Sequence, residues 1–348
     1  MTRRTTRPVR VGNLTLGGGA PVRVQSMLSC PASDIEGNLA QARALVQAGC
    51  ELIRAAVPNQ AAVALIAALK QTCAVPIVAD IHFDYRLALE SVAAGADKIR
   101  INPGNIGGED HVRAVVRACR ARGVPIRVGV NAGSLQPEVL AKHGAPAPAA
   151  LAESALHHVQ MLEACDFYDT VVSLKSSDVA RTVEAYALLA ARCDYPFHIG
   201  ITEAGTRRMG VVKSSIGIGA LLLRGIGDTL RVSLTDEPIE EVRAGVDILK
   251  ALGLRGGVNL ISCPTCGRTQ IDLIALARQA EQRLASCQKE LTVAIMGCAV
   301  NGPGEAREAD VGLAGGDGCA LLFRKGQVLR KVPEAQALDA LMDEISSL

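Results

Sequence analysis

Cys263-Pro264-Thr265-Cys266 and a third cysteine, Cys298 in Gly297-Cys298-Ala299-Val300-Asn301-Gly302-Pro303-Gly304-Glu305, are the side chains best suited to hold a metal or pass electrons. A CxxC pair alone fits zinc, a redox dithiol or an iron–sulfur cluster. The redox pair lacks a thioredoxin-like context and leaves Cys298 without a role. Zinc needs a fourth nitrogen or sulfur ligand, and no histidine follows His198, so Cys287 or Cys319 would have to serve. Three cysteines on glycine- and proline-rich loops better suit a cubane cluster, whose bulk needs close backbone approach and whose sulfurs accept N–H bonds. Neither a strand–GxGxxG–helix fingerprint nor a P-loop is present, so any electrons would have to pass through the cluster.

A second set of residues is cationic. Arg54, Arg100 and Arg127 each sit between apolar neighbours, in Ile53-Arg54-Ala55, Ile99-Arg100-Ile101 and Ile126-Arg127-Val128, a pattern that turns charge inward. Lys175 and Arg231 end comparable runs, as do Gln25, Asp80, Asn102, Asn131, Thr202 and Ser233, with His82 and Glu203 just beyond. An unpaired buried guanidinium costs several kcal/mol, so cations converging on one point imply an anion between them. Guanidinium forks suit phosphate oxygens, and the Pro103–Gly108 loop could add backbone N–H donors, so a phosphate or diphosphate ester is the natural ligand. The opposing reading pairs these cations with Asp80, Glu203 and Asp97 and binds nothing; the cations outnumber those acids. His82 and Glu203 are the candidates for proton transfer. His111, His157 and His158 on helices, and His143 in a loop, read as solvated or packed, and His198 as core.

These residues need a scaffold, and the chain supplies one. Eight β-like runs recur, Val22–Gln25, Leu52–Ala56, Ile77–Asp80, Lys98–Ile101, Ile126–Val130, Val171–Leu174, Phe197–Ile201 and Thr229–Ser233. Amphipathic segments separate them, among them Gly37–Ala48, Ala61–Lys70, Asp84–Ala94, Glu109–Arg122 and Val179–Ala191, several closed by a helix-stop glycine. Eight βα units in succession predict a (β/α)8 TIM-like barrel, in which the C-terminal strand ends form the active site; an open doubly wound sheet would share the local pattern. One long step contains the Pro/Ala-rich Gly144–Ala150, which reads as an inserted loop. After a last helix, Ile239–Leu252, the repeat ends at Gly253–Gly257.

The sequence therefore predicts a barrel over residues 1–257 and a small α+β module over 258–348. The module reads as strand (Asn259–Ser262), helix (Ile271–Ala285), strand (Leu291–Met296), a glycine-rich stretch, a hairpin (Cys319–Phe323 and Gln327–Val332) and a final helix. A length of 348 residues agrees with two domains, and 49% apolar against 21% charged residues excludes a disordered chain. A net charge of +2, with no Trp and four each of Tyr and Phe, gives no basis for nucleic-acid binding. Eleven cysteines, an odd number without a signal peptide, point to a reducing, cytoplasmic setting rather than a disulfide framework. No apolar run is long enough for a membrane span.

Longer motifs narrow the reading. Val78-Ala79-Asp80-Ile81-His82-Phe83-Asp84-Tyr85-Arg86, Arg100-Ile101-Asn102-Pro103-Gly104-Asn105-Ile106-Gly107, Arg127-Val128-Gly129-Val130-Asn131-Ala132-Gly133-Ser134-Leu135, Ile201-Thr202-Glu203-Ala204-Gly205 and Gly227-Asp228-Thr229-Leu230-Arg231-Val232-Ser233-Leu234, with the two cysteine motifs, occur in this order. In this the chain resembles the 4-hydroxy-3-methylbut-2-enyl diphosphate synthase family over essentially its whole length.

The resemblance implies a barrel followed by a cluster domain related to those of sulfite and nitrite reductases. It implies reductive ring opening and dehydroxylation of 2-C-methyl-D-erythritol 2,4-cyclodiphosphate in the non-mevalonate isoprenoid pathway, with ferredoxin or flavodoxin as electron donor. It implies a 4Fe-4S cluster on Cys263, Cys266, Cys298 and Glu305. Arg54, Arg100, Arg127, Asn131, Lys175 and Ser233 would hold the diphosphate, with Asp80, His82, Thr202 and Glu203 near the carbons. It implies a head-to-tail homodimer whose active site is shared between the barrel of one subunit and the cluster domain of the other. One segment departs from the family pattern: Leu28-Ser29-Cys30-Pro31 stands where a Thr/Asn-rich stretch is usual.

Overall fold

The computed structural model describes residues 2–285, 287, 289–299 and 306–348. The chain divides into two compact units, Met1–Leu252 and Gly253–Leu348, the 253–257 segment going with the second.

The first unit opens with an antiparallel hairpin, β1 (Val9–Val11) and β2 (Leu14–Leu16). Strands and helices then alternate: β3 (Arg23–Met27), α1 (Ile35–Gln47), β4 (Leu52–Ala56), α2 (Val63–Thr72), β5 (Ile77–Asp80), α3 (Tyr85–Ala93), β6 (Lys98–Ile101), α4 (Glu109–Arg122) and β7 (Ile126–Asn131). They continue as α5 (Pro137–His143), α6 (Pro148–Glu163), β8 (Thr170–Lys175), α7 (Val179–Ala190), β9 (His198–Ile199), α8 (Arg207–Leu223), β10 (Thr229–Leu230) and α9 (Pro238–Ala251). The eight parallel strands run in the order β8-β7-β6-β5-β4-β3-β10-β9, and a parallel bridge between Val172 and Phe197 joins the two ends into a nearly closed barrel. The expected (β/α)8 architecture is thus the observed one. Two details differ: the long step between β7 and β8 holds the additional helix α5, whose last residue is His143, and β9 and β10 are shorter than their apolar runs.

Local chemistry explains the element ends. Asp34, Asp84 and Asp178 accept hydrogen bonds from backbone N–H groups in the first turns of α1, α3 and α7. Gly123, at φ 63°, ends α4 in the left-handed conformation that a side chain resists. The hairpin closes the barrel floor: Val9, Val11 and Leu16 pack against Leu52, Val78 and Val171 at 1% exposure or less. Ahead of it, Arg3 pairs with Asp228 at 2.8 Å, and Arg4 lies 4.0 Å over the Phe197 ring and donates to the Cys193 carbonyl.

In the second unit five strands, β11 (Val258–Ser262), β12 (Leu291–Met296), β13 (Val311–Gly316), β14 (Cys319–Arg324) and β15 (Gln327–Pro333), form one sheet in chain order. β11, β12 and β13 are parallel, and β13 to β15 antiparallel. α10 (Leu273–Leu284) and α11 (Ala337–Ser347) share a buried cluster with Val293, Ile295, Leu313 and Leu322. The sequence suggested only a glycine-rich stretch where β13 lies. Its glycines are strand residues because neighbours crowd them: a Cβ on Gly312 would lie 2.4 Å from the Phe323 ring, and one on Gly315 2.7 Å from the Gly297 carbonyl. Among the described residues no helix is long and apolar enough to cross a membrane.

Candidate active site

In-register parallel strands place inward-facing residues side by side, and here that alignment builds a polar barrel interior. Asp80 pairs in register with Arg100, Arg100 with Arg127, and Asn131 with Lys175. Asp80 is fully buried and shared by two guanidinium groups, Arg54 Nη2 at 2.5 Å and Arg100 Nη1 at 3.1 Å, with His82 Nε2 at 3.5 Å. Burial alone would raise its pKa, but Arg54 and Arg100 hold the carboxyl far below the usual range. His82, about half exposed, has its own pKa lowered by burial, against the pull of Asp80 and with the push of Arg100, Arg54 and Lys175.

Gly129, two residues beyond Arg127, keeps this arrangement open. A Cβ there would lie 2.8 Å from Arg100 Nε and 3.0 Å from its Nη2. The end of Arg100 has to shift to make room, and the guanidinium whose Nη1 holds Asp80 shifts with it. Gly129→Ala is therefore expected to fold and to weaken substrate affinity about tenfold or more, since a charged hydrogen bond contributes about 1.5–3 kcal/mol. A KM unchanged from the parent would exclude this role.

Above these residues a solvent-open cleft of about 310 Å³ is lined by Arg54, Ser173, Lys175, His198, Thr202, Arg231 and Ser233, with Leu174, Gly200 and Ile201. Of the residues expected to meet an anion, Arg54, Lys175, Thr202 and Ser233 are here. Arg100 and Arg127 lie buried within the barrel, at 2% and 0% exposure, and the Arg127 guanidinium nitrogens have no hydrogen-bond partner among the described residues. Burial lowers the Arg127 pKa, and Arg54 and Arg100 lower it further. Lys175 is pushed down to about 5 by burial and by Arg54, Arg100 and Arg127. Arg231 faces Glu241 at 3.4 Å, and Glu241 also accepts from the Leu234 N–H at 2.9 Å. Glu203 is exposed on the loop after β9, where its φ of 51° is unusual for a residue with a side chain.

Ser173 and His198 are cleft residues that sequence reasoning missed. His198 is buried, as a core residue would be, yet it also lines the cleft, and its Nδ1 has no partner among the described residues. The every-second-residue spacing of His198, Gly200 and Thr202, from β9 into the loop after it, was the available signal. Two other histidines support the mouth: His111 Nδ1 lies 3.0 Å from the Ile106 carbonyl, and His158 packs under Gly104 with Nε2 3.1 Å from Gln136 Nε2. The divergent Leu28–Pro31 segment is fastened to α1, since the Ser29 N–H donates to Gln41 Oε1 and Gln41 Nε2 donates back to Ser29 Oγ.

Cys263, Cys266 and Cys298 belong to the second unit. Because β11 and β12 are parallel, with Ser262 opposite Ile295, Cys263 and the Gly297-Cys298 pair leave the sheet at the same edge. The Gly297 N–H donates to Cys263 Sγ at 3.1 Å, and the Cys266 N–H to Thr269 Oγ1. Cys266 is exposed, its thiol pKa lowered by the Arg268 backbone and side chain. Among the described residues no three His, Cys, Asp or Glu side chains gather closely enough to hold a single metal ion. Glu305 lies outside the described residues.

A parallel (β/α)8 barrel with a cationic mouth, followed by a small cysteine-bearing α+β unit, defines the class of protein. Solved barrels agree at the level of the fold: dihydropteroate synthases from Stenotrophomonas maltophilia (TM-score 0.53, 18% identity) and Yersinia pestis (0.52, 16%) each cover 71% of this chain and 97% of their own. Residues 6–246 match the GcpE TIM-barrel domain and residues 259–347 the GcpE protein C-terminal domain. The chain belongs to the GcpE family. It is similar to the 4-hydroxy-3-methylbut-2-en-1-yl diphosphate synthase (flavodoxin) of Geobacter sulfurreducens, with 57% identity covering 99% of this chain and 98% of that protein. The Clostridium perfringens enzyme of the same description is 52% identical, each chain covered in full.

Proposed function

We propose that this chain is an oxidoreductase that converts 2-C-methyl-D-erythritol 2,4-cyclodiphosphate to 4-hydroxy-3-methylbut-2-enyl diphosphate, in the non-mevalonate isoprenoid pathway. The reading is carried by the 57% identity across 99% of the chain to an enzyme of that description. The cation-rich cleft is what an organic diphosphate requires. Two electrons and one proton convert the cyclic dianion to the open trianion and water, breaking the ring carbon–oxygen bond and the hydroxyl carbon–oxygen bond.

Arg54, Arg100, Arg127 and Lys175 supply the charge that holds the diphosphate, while Asn131, Thr202 and Ser233 orient it. Asp80 keeps Arg54 and Arg100 aimed and sets the charge beside His82. Glu203, on the loop after β9, is the residue assigned to give a proton to the departing hydroxyl, with His82 as the second candidate. Cys263, Cys266 and Cys298, with Glu305, would hold a 4Fe-4S cluster; the shared sheet edge and the N–H bond to Cys263 Sγ suit such a group. When bound, the cluster supplies single electrons received from flavodoxin or ferredoxin. On the family resemblance, the cluster unit of a second copy completes each barrel's site.

Anaerobically purified protein should be brown, with about four irons per chain, and should turn over the cyclodiphosphate with a reduced donor. A colourless, active protein holding one zinc would overturn the cluster assignment.

A further inference from the structure

The barrel interior holds more cations than carboxylates to answer them. Asp80 is shared by Arg54 and Arg100, and Glu241 is taken by Arg231 and the Leu234 amide. Lys175 has no carboxylate within ion-pair distance among the described residues, although it lines the same cleft as Arg54 and Arg231. The charges that act on it are mostly cationic: Arg54 on β4, Arg100 on β6 and Arg127 on β7, with Arg231 just after β10 on the same cleft and His82 and His198 nearby. Among the described residues the carboxylate that acts on it is Asp80, already bonded to two guanidinium groups. The other carboxylates on this rim point elsewhere, Asp178 to the N-terminus of α7 and Glu203 to solvent.

An arginine keeps its proton in such a crowd, whereas an amine can release it. We propose that Lys175 waits in the empty cleft as a neutral amine and takes up a proton when the anionic substrate arrives, so that substrate binding is proton-linked. This rests on the reading of the cleft as the diphosphate site. Both phosphoryl groups of the cyclodiphosphate lie in the ring and carry only strongly acidic hydroxyls. The substrate therefore brings no proton that titrates near neutrality, and any uptake belongs to the protein. Ring opening adds one further negative charge, which the charged amine then faces.

The direction of the pH effect follows. The complex binds one more proton than its separated parts, so affinity rises as pH falls, by up to tenfold per unit. The effect spans the interval between the amine's pKa in the complex and its value of about 5 in the empty cleft, and levels off below that.

The test is calorimetric titration of oxidised holoenzyme, without electron donor, with the cyclodiphosphate at pH 8 in Tris and in Hepes, whose ionisation enthalpies differ. The heats should differ by the equivalent of between half a proton and one proton per substrate bound. Lys175→Arg, permanently charged, should bind without this difference, and Lys175→Gln carries the same test if arginine is not accommodated. Lys98, a second buried amine lower in the barrel with no hydrogen-bond partner among the described residues, is the control, and Lys98→Met should retain the uptake. Equal heats in the two buffers for the parent, or uptake that survives both Lys175 substitutions, would overturn the proposal. Loss of uptake in Lys98→Met alone would overturn it too, by moving the acceptor to Lys98. Absence of any binding by the parent would overturn the diphosphate reading itself.

Discussion

Replacing Glu203 with glutamine should lower turnover of the cyclodiphosphate by about 10²- to 10⁴-fold, the range that a positioned acid or base contributes. Glutamine preserves the size and shape of the side chain, and with them the backbone at φ 51°. It cannot give up a proton to a departing hydroxyl. Glu203 makes no ion pair among the described residues that folding would miss, so the cluster content and the thermal midpoint should stay at parental values. The loss should fall on kcat, with KM little changed, because the diphosphate is held by cations elsewhere in the cleft. Turnover equal to the parent would remove Glu203 from the chemistry and leave His82 as the titratable side chain at the mouth.

Asp80→Asn should be the most damaging single substitution inside the barrel. The change keeps the shape but removes the only charge that Arg54 and Arg100 share, leaving two buried guanidinium groups facing Arg127 and Lys175 unopposed. Breaking a buried ion pair from one side costs about 3–5 kcal/mol. Denaturant midpoints should fall accordingly, and KM should rise as both arginines lose their aim. A pH signature accompanies the loss. The Asp80 carboxyl is held below its unfolded value of about 3.9. Its contribution to stability is therefore fully present above that pH and is lost as the pH falls below it toward the folded value. The parent should lose stability steeply in this acid range and Asp80→Asn should lose less; parallel acid limbs would show that the carboxylate does not carry the effect.

The barrel was legible in the sequence because its strands are short apolar runs closed by turn residues, and its helices long enough to show a period. β4, β5 and β6 have the bounds their residues suggest. The floor hairpin was not legible, since strands of three residues between glycines and prolines show no alternation to detect. β13 was hidden for the opposite reason: the residues that mark a loop in isolation are required there by the Phe323 ring and the Gly297 carbonyl.

At the site, the spacing of Arg54, Asp80 and Arg100 on successive strands predicted their company, and the opposing reading of the sequence their pairing with Asp80, but not that one carboxylate would take both. Two arginines on one aspartate depends on strand register, which one-dimensional spacing does not specify. The same holds for Glu241, which meets Arg231 from a helix and not from a strand. Lys175 lines the cleft while Arg127 sits beneath it, because Lys175 is the last residue of β8 and Arg127 only the second of β7.

The clasp formed by Arg3 and Arg4 bears on how the molecule is made. Their partners, at Cys193, Phe197 and Asp228, lie on the closing side of the barrel, some two hundred residues downstream. A ribosome delivers the arm well before its sockets. The emerging barrel must therefore keep its lower end unsealed until those partners are made, and the arm settles only after residues translated long after it.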